Sequence, residues 1–253
     1  MEFKDSVAII TGGASGLGEA TTRKFHSLGS KVCIFDLDNL RGKKLEKELG
    51  ENCAYFSVDV CSEPDLEEAI NSVITQFNKI NININCAGIA LAEKTLGKEG
   101  SHDLSRFKKI IDVNLIGTFN ILRLCAEKMA KNPLDKNHER GIIINTASVA
   151  AIEGQKGQVA YSASKGGVAA MTLPIARDLA REHIRCCCIA PGLFLTPMFE
   201  GLGEEVCEAL AKDVVFPKRL GDPNEFAEYA SQIVRNTYIN GSVMRLDGGI
   251  RLA

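Results

Sequence analysis

The chain has 253 residues, 45% of them hydrophobic and 25% charged, with a net charge of −2. That balance excludes bulk electrostatic attraction to nucleic acid, and no apolar run approaches the roughly 20 residues of a membrane span. The length suits one α/β domain, residues 1–253, with a sizeable core.

Elements alternate along the chain. Val7–Ile10 is a short apolar run, followed by a Gly-rich turn and a helical stretch through about Leu28. Val32–Phe35 is a second run, then charged helical sequence to about Leu49. Residues 54–60 read as a third strand and Glu63–Phe77 as a third helix. Residues 80–85 alternate Ile and Asn and lead into Cys86-Ala87-Gly88; residues 104–129 carry one long helical pattern. Ile142–Ile144, 158–179, 184–190, Pro223–Arg235 and 242–246 read as strand, helix, strand, helix and strand. Alternating β and α units predict a doubly wound parallel sheet of about seven strands with helices on both faces. Ligands bind such sheets beyond the strand C-terminal ends.

Three stretches break the rhythm. Residues 91–103 and 131–140 are polar loops. Residues 193–222 are longer, with Leu195, Met198, Phe199, Leu202, Val206, Leu210 and Val214 at helical spacing. Two readings stand for that segment: a surface helix packed on the core, or an apolar lid over a substrate.

The nine cysteines include no CxxC pair, and Cys186-Cys187-Cys188 lie in what reads as a buried strand. With His26, His102, His138 and His183 scattered, no metal-ligand spacing emerges, so no metal is expected. The cysteines favour a reducing compartment. Residues 1–6 carry no signal-peptide core and no Arg-rich amphipathic leader, so no targeting segment is expected in the sequence as given.

Gly12, Gly16 and Gly18 follow the first strand and open a helix, the context of a phosphate-binding turn. Glycine permits close backbone approach to a pyrophosphate, and a helix N-terminus offers free N–H groups. Asp36 ends the second strand, where a carboxylate accepts from a ribose 2′-OH and repels a 2′-phosphate. That favours NAD over NADP, with Arg41 the one residue that softens the preference. Asp59 and Val60 lie at the same edge and suit an adenine cap; as strand-end residues, Asp36 and Asp59 also fit simple turns.

Ser148 precedes Tyr161 by 13 positions, and Lys165 follows Tyr161 by four. Positions four apart share a helix face, and an ammonium beside a phenol favours the phenolate. Taken alone, the Tyr161–Lys165 pair more often means one packed ring and one solvated amine.

Thr11-Gly12-xxx-Gly16-x-Gly18, Asn85-Cys86-Ala87-Gly88, Asn114, Ser148, Tyr161-xxx-Lys165 and Pro191-Gly192 resemble the short-chain dehydrogenase/reductase family in order and spacing, over essentially the whole length. Cys86 stands where the family pattern has a second Asn. Further segments, among them Asp112–Asn120, Gly141–Ala151 and Met171–Leu179, resemble the type 2 3-hydroxyacyl-CoA dehydrogenase branch, also called type 10 17β-hydroxysteroid dehydrogenases.

The resemblance implies a homotetramer that oxidises 3-hydroxyacyl-CoA thioesters with NAD and tolerates hydroxysteroids. It implies a mitochondrial location, with the cytoplasm as the alternative, and a methyltransferase partner in tRNA processing. Tyr161 would be the acid/base, Lys165 its charge partner, Ser148 the group that positions the substrate oxygen, and Asn114 the holder of a relay water. The implied cofactor set adds Ser15, Leu17, Cys86, Ala87, Gly88, Pro191 and Phe194. Thr196 would face the nicotinamide carboxamide, and Gln158, one helical turn before Tyr161, the thioester carbonyl. Another alcohol on the same scaffold (a sugar, a polyol or an oxoacyl-carrier-protein) is the alternative substrate.

Overall fold

The computed structural model describes residues 1–4, 6–197 and 204–252. Strands β1 (Val7–Thr11), β2 (Lys31–Asp36), β3 (Cys53–Ser57), β4 (Ile82–Asn85), β7 (Gly141–Thr146), β8 (Ile184–Pro191) and β9 (Val243–Leu246) form one sheet. Its order is β3-β2-β1-β4-β7-β8-β9, and every neighbouring pair is parallel. The order reverses between β1 and β4, which opens a crevice at their C-terminal ends. The strands read as continuous apolar runs because helices cover both faces.

Successive strand residues feed opposite cores, as the two-residue period requires. Ile9, Cys33, Ile143 and Cys186 pack against α3 (Glu63–Phe77), α5 (Thr118–Met129) and α6 (Val159–Asp178). Ile10, Ile34, Ile144 and Cys187 pack against α1 (Gly16–Ser27), α2 (Asn39–Leu49) and α8 (Pro223–Arg235). The three consecutive cysteines are therefore apolar fillers on alternating faces, and burial pushes their thiols up. The Ile/Asn alternation of β4 has the same cause. Ile82 and Ile84 face one core, while Asn83 and Asn85 are buried on the other side. There Asn85 Nδ2 donates to Asn83 Oδ1 at 2.9 Å and to Asn145 Oδ1 at 2.8 Å, so the buried amides satisfy one another.

Three local features differ from the sequence expectation. The third strand ends at Ser57, not Val60. The chain leaves the sheet there, with the Val58 N–H donating to the Asp36 carbonyl, and this carries Asp59 and Val60 to the crevice. The loop 91–103 contains a two-stranded hairpin, β5 (Leu96–Gly97) and β6 (Gly100–Ser101). The single helix expected over 104–129 is α4 (Leu104–Ile111), a π turn at Asp112–Gly117, and α5. Gly117 lies against Val60 so closely that a Cβ would sit 2.7 Å from the Val60 side chain.

Of the proposed lid at 193–222, residues 198–203, including Met198, Phe199 and Leu202, lie outside the described residues. The described remainder includes α7 (Glu204–Ala211). Among the described residues no helix is long and apolar enough to cross a membrane.

Candidate active site

A cleft of about 980 Å³ opens at the C-terminal ends of β1, β2, β4, β7 and β8. It is lined by Gly12, Ser15, Gly16, Leu17 and Gly18 from the first turn, and by Asp36, Asp59 and Val60 from the next two strand ends. Cys86, Ala87 and Gly88 follow from β4, Ser148 from β7, Tyr161 and Lys165 from α6, and Pro191, Phe194 and Thr196 from the end of β8. Every cofactor-contact residue expected from the sequence thus reaches one cavity.

The first turn exists only with glycine. Gly12 has φ +63°, and a Cβ there would meet Ala87 N at 2.9 Å; a Cβ on Gly18 would fall 2.0 Å from the Gly12 carbonyl oxygen. Helices α2, α3, α4 and α8 begin with a capping side chain, from Asp38, Ser62, Asp103 and Asp222. Helix α1 has none: Ser15 is in N-cap position without a side-chain bond to the backbone. Its first N–H groups are left to a ligand at the mouth of the cleft, which is how a pyrophosphate is held. The turn and the bare helix end fit a dinucleotide.

Asp36 is fixed by two backbone donors. Its Oδ2 accepts from Ala14 N–H and its Oδ1 from Asp38 N–H, each at 3.0 Å. Each carboxylate oxygen keeps a further lone pair, so a ribose diol has acceptors available.

At the other end, α6 presents Tyr161 and Lys165 on one face. Lys165 is 5% exposed, and its Nζ donates to the Thr146 carbonyl at 2.7 Å and lies 5.8 Å from the Tyr161 ring centroid. Desolvation pulls its pKa from 10.5 down to about 8, against the smaller opposing influence of the Cys188 and Cys86 thiols. Burial pushes the Tyr161 phenol above its ordinary value of 10, and the facing Ser148 hydroxyl acts in the opposite direction. The lowered phenol expected from a lysine neighbour is therefore not what the protein alone sets up. Loss of water outweighs the Ser148 contact, and the ammonium's own hydrogen bond goes to Thr146.

Asn114 is fully buried in the π turn. Its Oδ1 accepts from Ile89 N–H at 2.8 Å, and its Nδ2 donates to the Ile89 carbonyl at 2.9 Å and to Ser164 Oγ at 3.1 Å. Ser164 in turn donates to the Tyr161 carbonyl at 2.7 Å. The Asn114 side chain is thus a clamp between the segment after β4 and the turn of α6 that carries Tyr161. Both its N–H donors are in use, so the water-holding role implied for it is not visible in these contacts. Gly88 leaves room for the clamp: a Cβ would lie 3.2 Å from Asn114 Oδ1 and 3.5 Å from Lys165 Nζ.

Gln158 does not join this cleft. Its Oε1 accepts from Gln155 N–H at 2.9 Å, and it lines a neighbouring cavity with Lys94, Lys156 and Val159. The helical-turn argument placed it near Tyr161 in sequence, but it precedes α6 and folds back on its own loop. Three contributors were not singled out from sequence: the Thr146 carbonyl, Ile89 and Ser164. Ser164 lies inside the Tyr161–Lys165 segment and was legible as a hydroxyl one turn after Tyr161. The backbone partners carry no side-chain signal.

Comparison with known proteins agrees with this arrangement. The family described as short chain dehydrogenase matches residues 6–206. The chain is 52% identical over 251 residues to the 3-hydroxyacyl-CoA dehydrogenase type-2 of Homo sapiens, covering 98% of this chain and 96% of that protein. The crystal structure of 3-hydroxyacyl-CoA dehydrogenase type-2 from Mycobacterium avium superposes with a TM-score of 0.95 at 43% identity, covering 99% of this chain and 98% of that one. The 3-ketoacyl-(acyl-carrier-protein) reductase of Brucella melitensis, solved with NADH, superposes at a TM-score of 0.87 with 27% identity, covering 98% of this chain and 99% of that one. A family match over residues 6–206 and a relative 52% identical over 98% of this chain show that the chain belongs to the short chain dehydrogenase family.

Proposed function

We propose that this protein is an NAD-dependent 3-hydroxyacyl-CoA dehydrogenase, interconverting 3-hydroxyacyl-CoA and 3-oxoacyl-CoA, with hydroxysteroids as further substrates. The observation that carries the substrate class is the 52% identity, over 98% of this chain, to a 3-hydroxyacyl-CoA dehydrogenase type-2.

The chain's own residues account for the chemistry. NAD, when bound, would supply the hydride acceptor and a positive charge. In oxidation the Tyr161 oxygen takes the proton of the substrate hydroxyl, and in reduction it returns one. Ser148, across from Tyr161, donates a hydrogen bond to the same substrate oxygen and holds it at the phenol. Lys165, kept dry and bonded to Thr146, presents its charge to Tyr161 and to the ribose hydroxyls. Proton transfer by a positioned group of this kind is worth about 10²–10⁴ in rate. Asn114 keeps the Tyr161 turn in register through Ser164. Asp36 supports NAD over NADP, because its carboxylate, held by Ala14 and Asp38, would face a 2′-phosphate as a like charge.

Exposed apolar side chains on α4, the π turn and α5, namely Leu104, Ile116 and Phe119, support self-association, as expected for a homotetramer.

The test is acetoacetyl-CoA reduction by the purified protein with NADH and NADPH in parallel. Turnover with NADH and little with NADPH supports the assignment. No turnover with either, alongside measured NADH binding, keeps the fold and cofactor and discards the substrate.

A further inference from the structure

The loop that joins Ser148 to the Tyr161 helix is held from the far end of the chain. Glu153, in that loop, takes two bonds from Arg245: Nη1 to Oε1 at 2.8 Å and Nη2 to Oε2 at 3.1 Å. The Leu252 N–H adds a third at 3.2 Å. Arg245 uses two further donors, on Asp247 Oδ2 at 2.6 Å and on the Ile250 carbonyl at 3.0 Å. The cluster is only partly exposed, with side-chain accessibilities of 25% for Arg245, 19% for Glu153 and 11% for Asp247. A forked guanidinium on a carboxylate in such a setting fixes direction as well as distance.

The same C-terminal segment bonds one wall of the cleft and the segment after α7. The Gly192 N–H donates to the Leu246 carbonyl at 2.9 Å, and a Cβ on Gly192 would lie 2.8 Å from the Asp247 Cβ. The Gly248 carbonyl accepts from Val215 N–H at 3.1 Å and from Phe216 N–H at 3.0 Å. Residues 245–252 therefore bond to the loop after Ser148, to the Pro191-Gly192 turn, and to the residues that follow α7.

We propose that Glu153 and Arg245 are positioning residues for substrate. Their pair locks the 149–158 loop to the strut 245–252, so that the substrate-facing walls on either side of Tyr161 keep one spacing. Neither residue itself lines the dinucleotide cleft. The proposal rests on the assignment of acyl-CoA as substrate for its kinetic readout alone.

The experiment uses Glu153→Gln and Arg245→Gln in the full chain, with acetoacetyl-CoA and NADH as probes. Glu153→Gln raises the KM for acetoacetyl-CoA about tenfold, as expected for a small misplacement of a binding wall, while the KM for NADH stays within about twofold. The double variant falls short of the sum of the two single effects, because the two residues share one coupled contact. Hydrogen exchange, which needs no substrate, reads the strut directly: the Val215 and Phe216 amides exchange faster in Glu153→Gln than in the parent. Equal rises in both KM values, or an unmoved acetoacetyl-CoA KM with unmoved exchange, overturn the proposal. If the parent protein fails to turn over acetoacetyl-CoA, the functional assignment falls, and the exchange result alone decides the strut.

Discussion

The Lys165 ammonium donates to the Thr146 carbonyl at 2.7 Å, from the helix that carries Tyr161 to the end of the strand that leads to Ser148. That hydrogen bond ties together the two elements that carry the acid/base group and lead to Ser148. It also explains why the lysine stays buried. The carbonyl offsets part of the desolvation that takes its pKa down to about 8.

A buried lysine of this kind leaves a signature in stability against pH. The folded pKa lies below the unfolded value of 10.5, so between pH 8 and 10.5 the unfolded chain binds the extra proton. Stability then rises with pH across that window, by roughly 3 kcal/mol from this group. Below pH 8 the full penalty is present. Lys165→Met lacks this rise. Urea unfolding of both proteins at pH 7 and pH 9.5 checks it: the gap between them moves in favour of the parent at the higher pH.

Tyr161→Phe removes the phenol and keeps the ring. Turnover falls by about 10²–10⁴, and the dissociation constant for NADH, read by fluorescence titration, changes by less than about threefold, since the cofactor's phosphates and ribose are held elsewhere. Retention of more than a tenth of the parent turnover would contradict the role given to the phenol.

Two glycine substitutions separate backbone crowding from backbone strain. Gly18→Ala puts a Cβ against the Gly12 carbonyl, backbone on backbone, and neither side can yield. NADH binding drops by at least about tenfold, a loss of roughly 1.4 kcal/mol. Gly50 ends α2 at φ +79° with nothing near its missing Cβ. Gly50→Ala costs about 1–3 kcal/mol of stability through strain alone and leaves the KM for NADH unmoved. Denaturant titration and steady-state kinetics on the two variants make the contrast.

Asp36→Ala removes the carboxylate and leaves the Ala14 N–H without its partner. The ratio of kcat/KM for NADH to that for NADPH falls by about tenfold or more, because the repulsion toward a 2′-phosphate is gone. An unchanged ratio would place cofactor selection at another residue.

Away from the cleft, Arg185 and Glu139 form a buried ion pair, with side-chain accessibilities of 6% and 8%. Arg185 also donates to the carbonyls of Ile233, Ile239 and Val234. Glu139→Ala strands a buried guanidinium among carbonyls and costs about 3 kcal/mol, measurable as a lowered urea midpoint with unaltered KM values.

The glycine turn and the Tyr161–Lys165 pair were readable because their logic is local: a turn that tolerates no Cβ, and two side chains four apart on one helix. Strand and helix order was readable because the apolar periods are strong. What stayed hidden depends on partners distant in sequence or on backbone atoms. Thr146 contributes a carbonyl, Ile89 contributes both backbone groups to Asn114, and Glu153 meets Arg245 across 92 positions. Gln158 lies outside the cleft because it stands one residue before the start of α6, where its side chain accepts from Gln155 N–H. The burial that raises the Tyr161 phenol in the protein alone is likewise not read from sequence spacing.

The π turn at Asp112–Gly117 offsets α5 in rotation from α4. An α-helix advances about 100° per residue, so an extra residue in one turn re-aims everything downstream by that amount. Here the offset lets Asn114 point at Ile89 and Ser164 while Ile121, Leu122 and Cys125 still face the core. Deleting a single residue from 112–117 would restore a regular helix and force a choice between those two alignments. The segment therefore sets the angle at which the scaffold helix presents the chemistry.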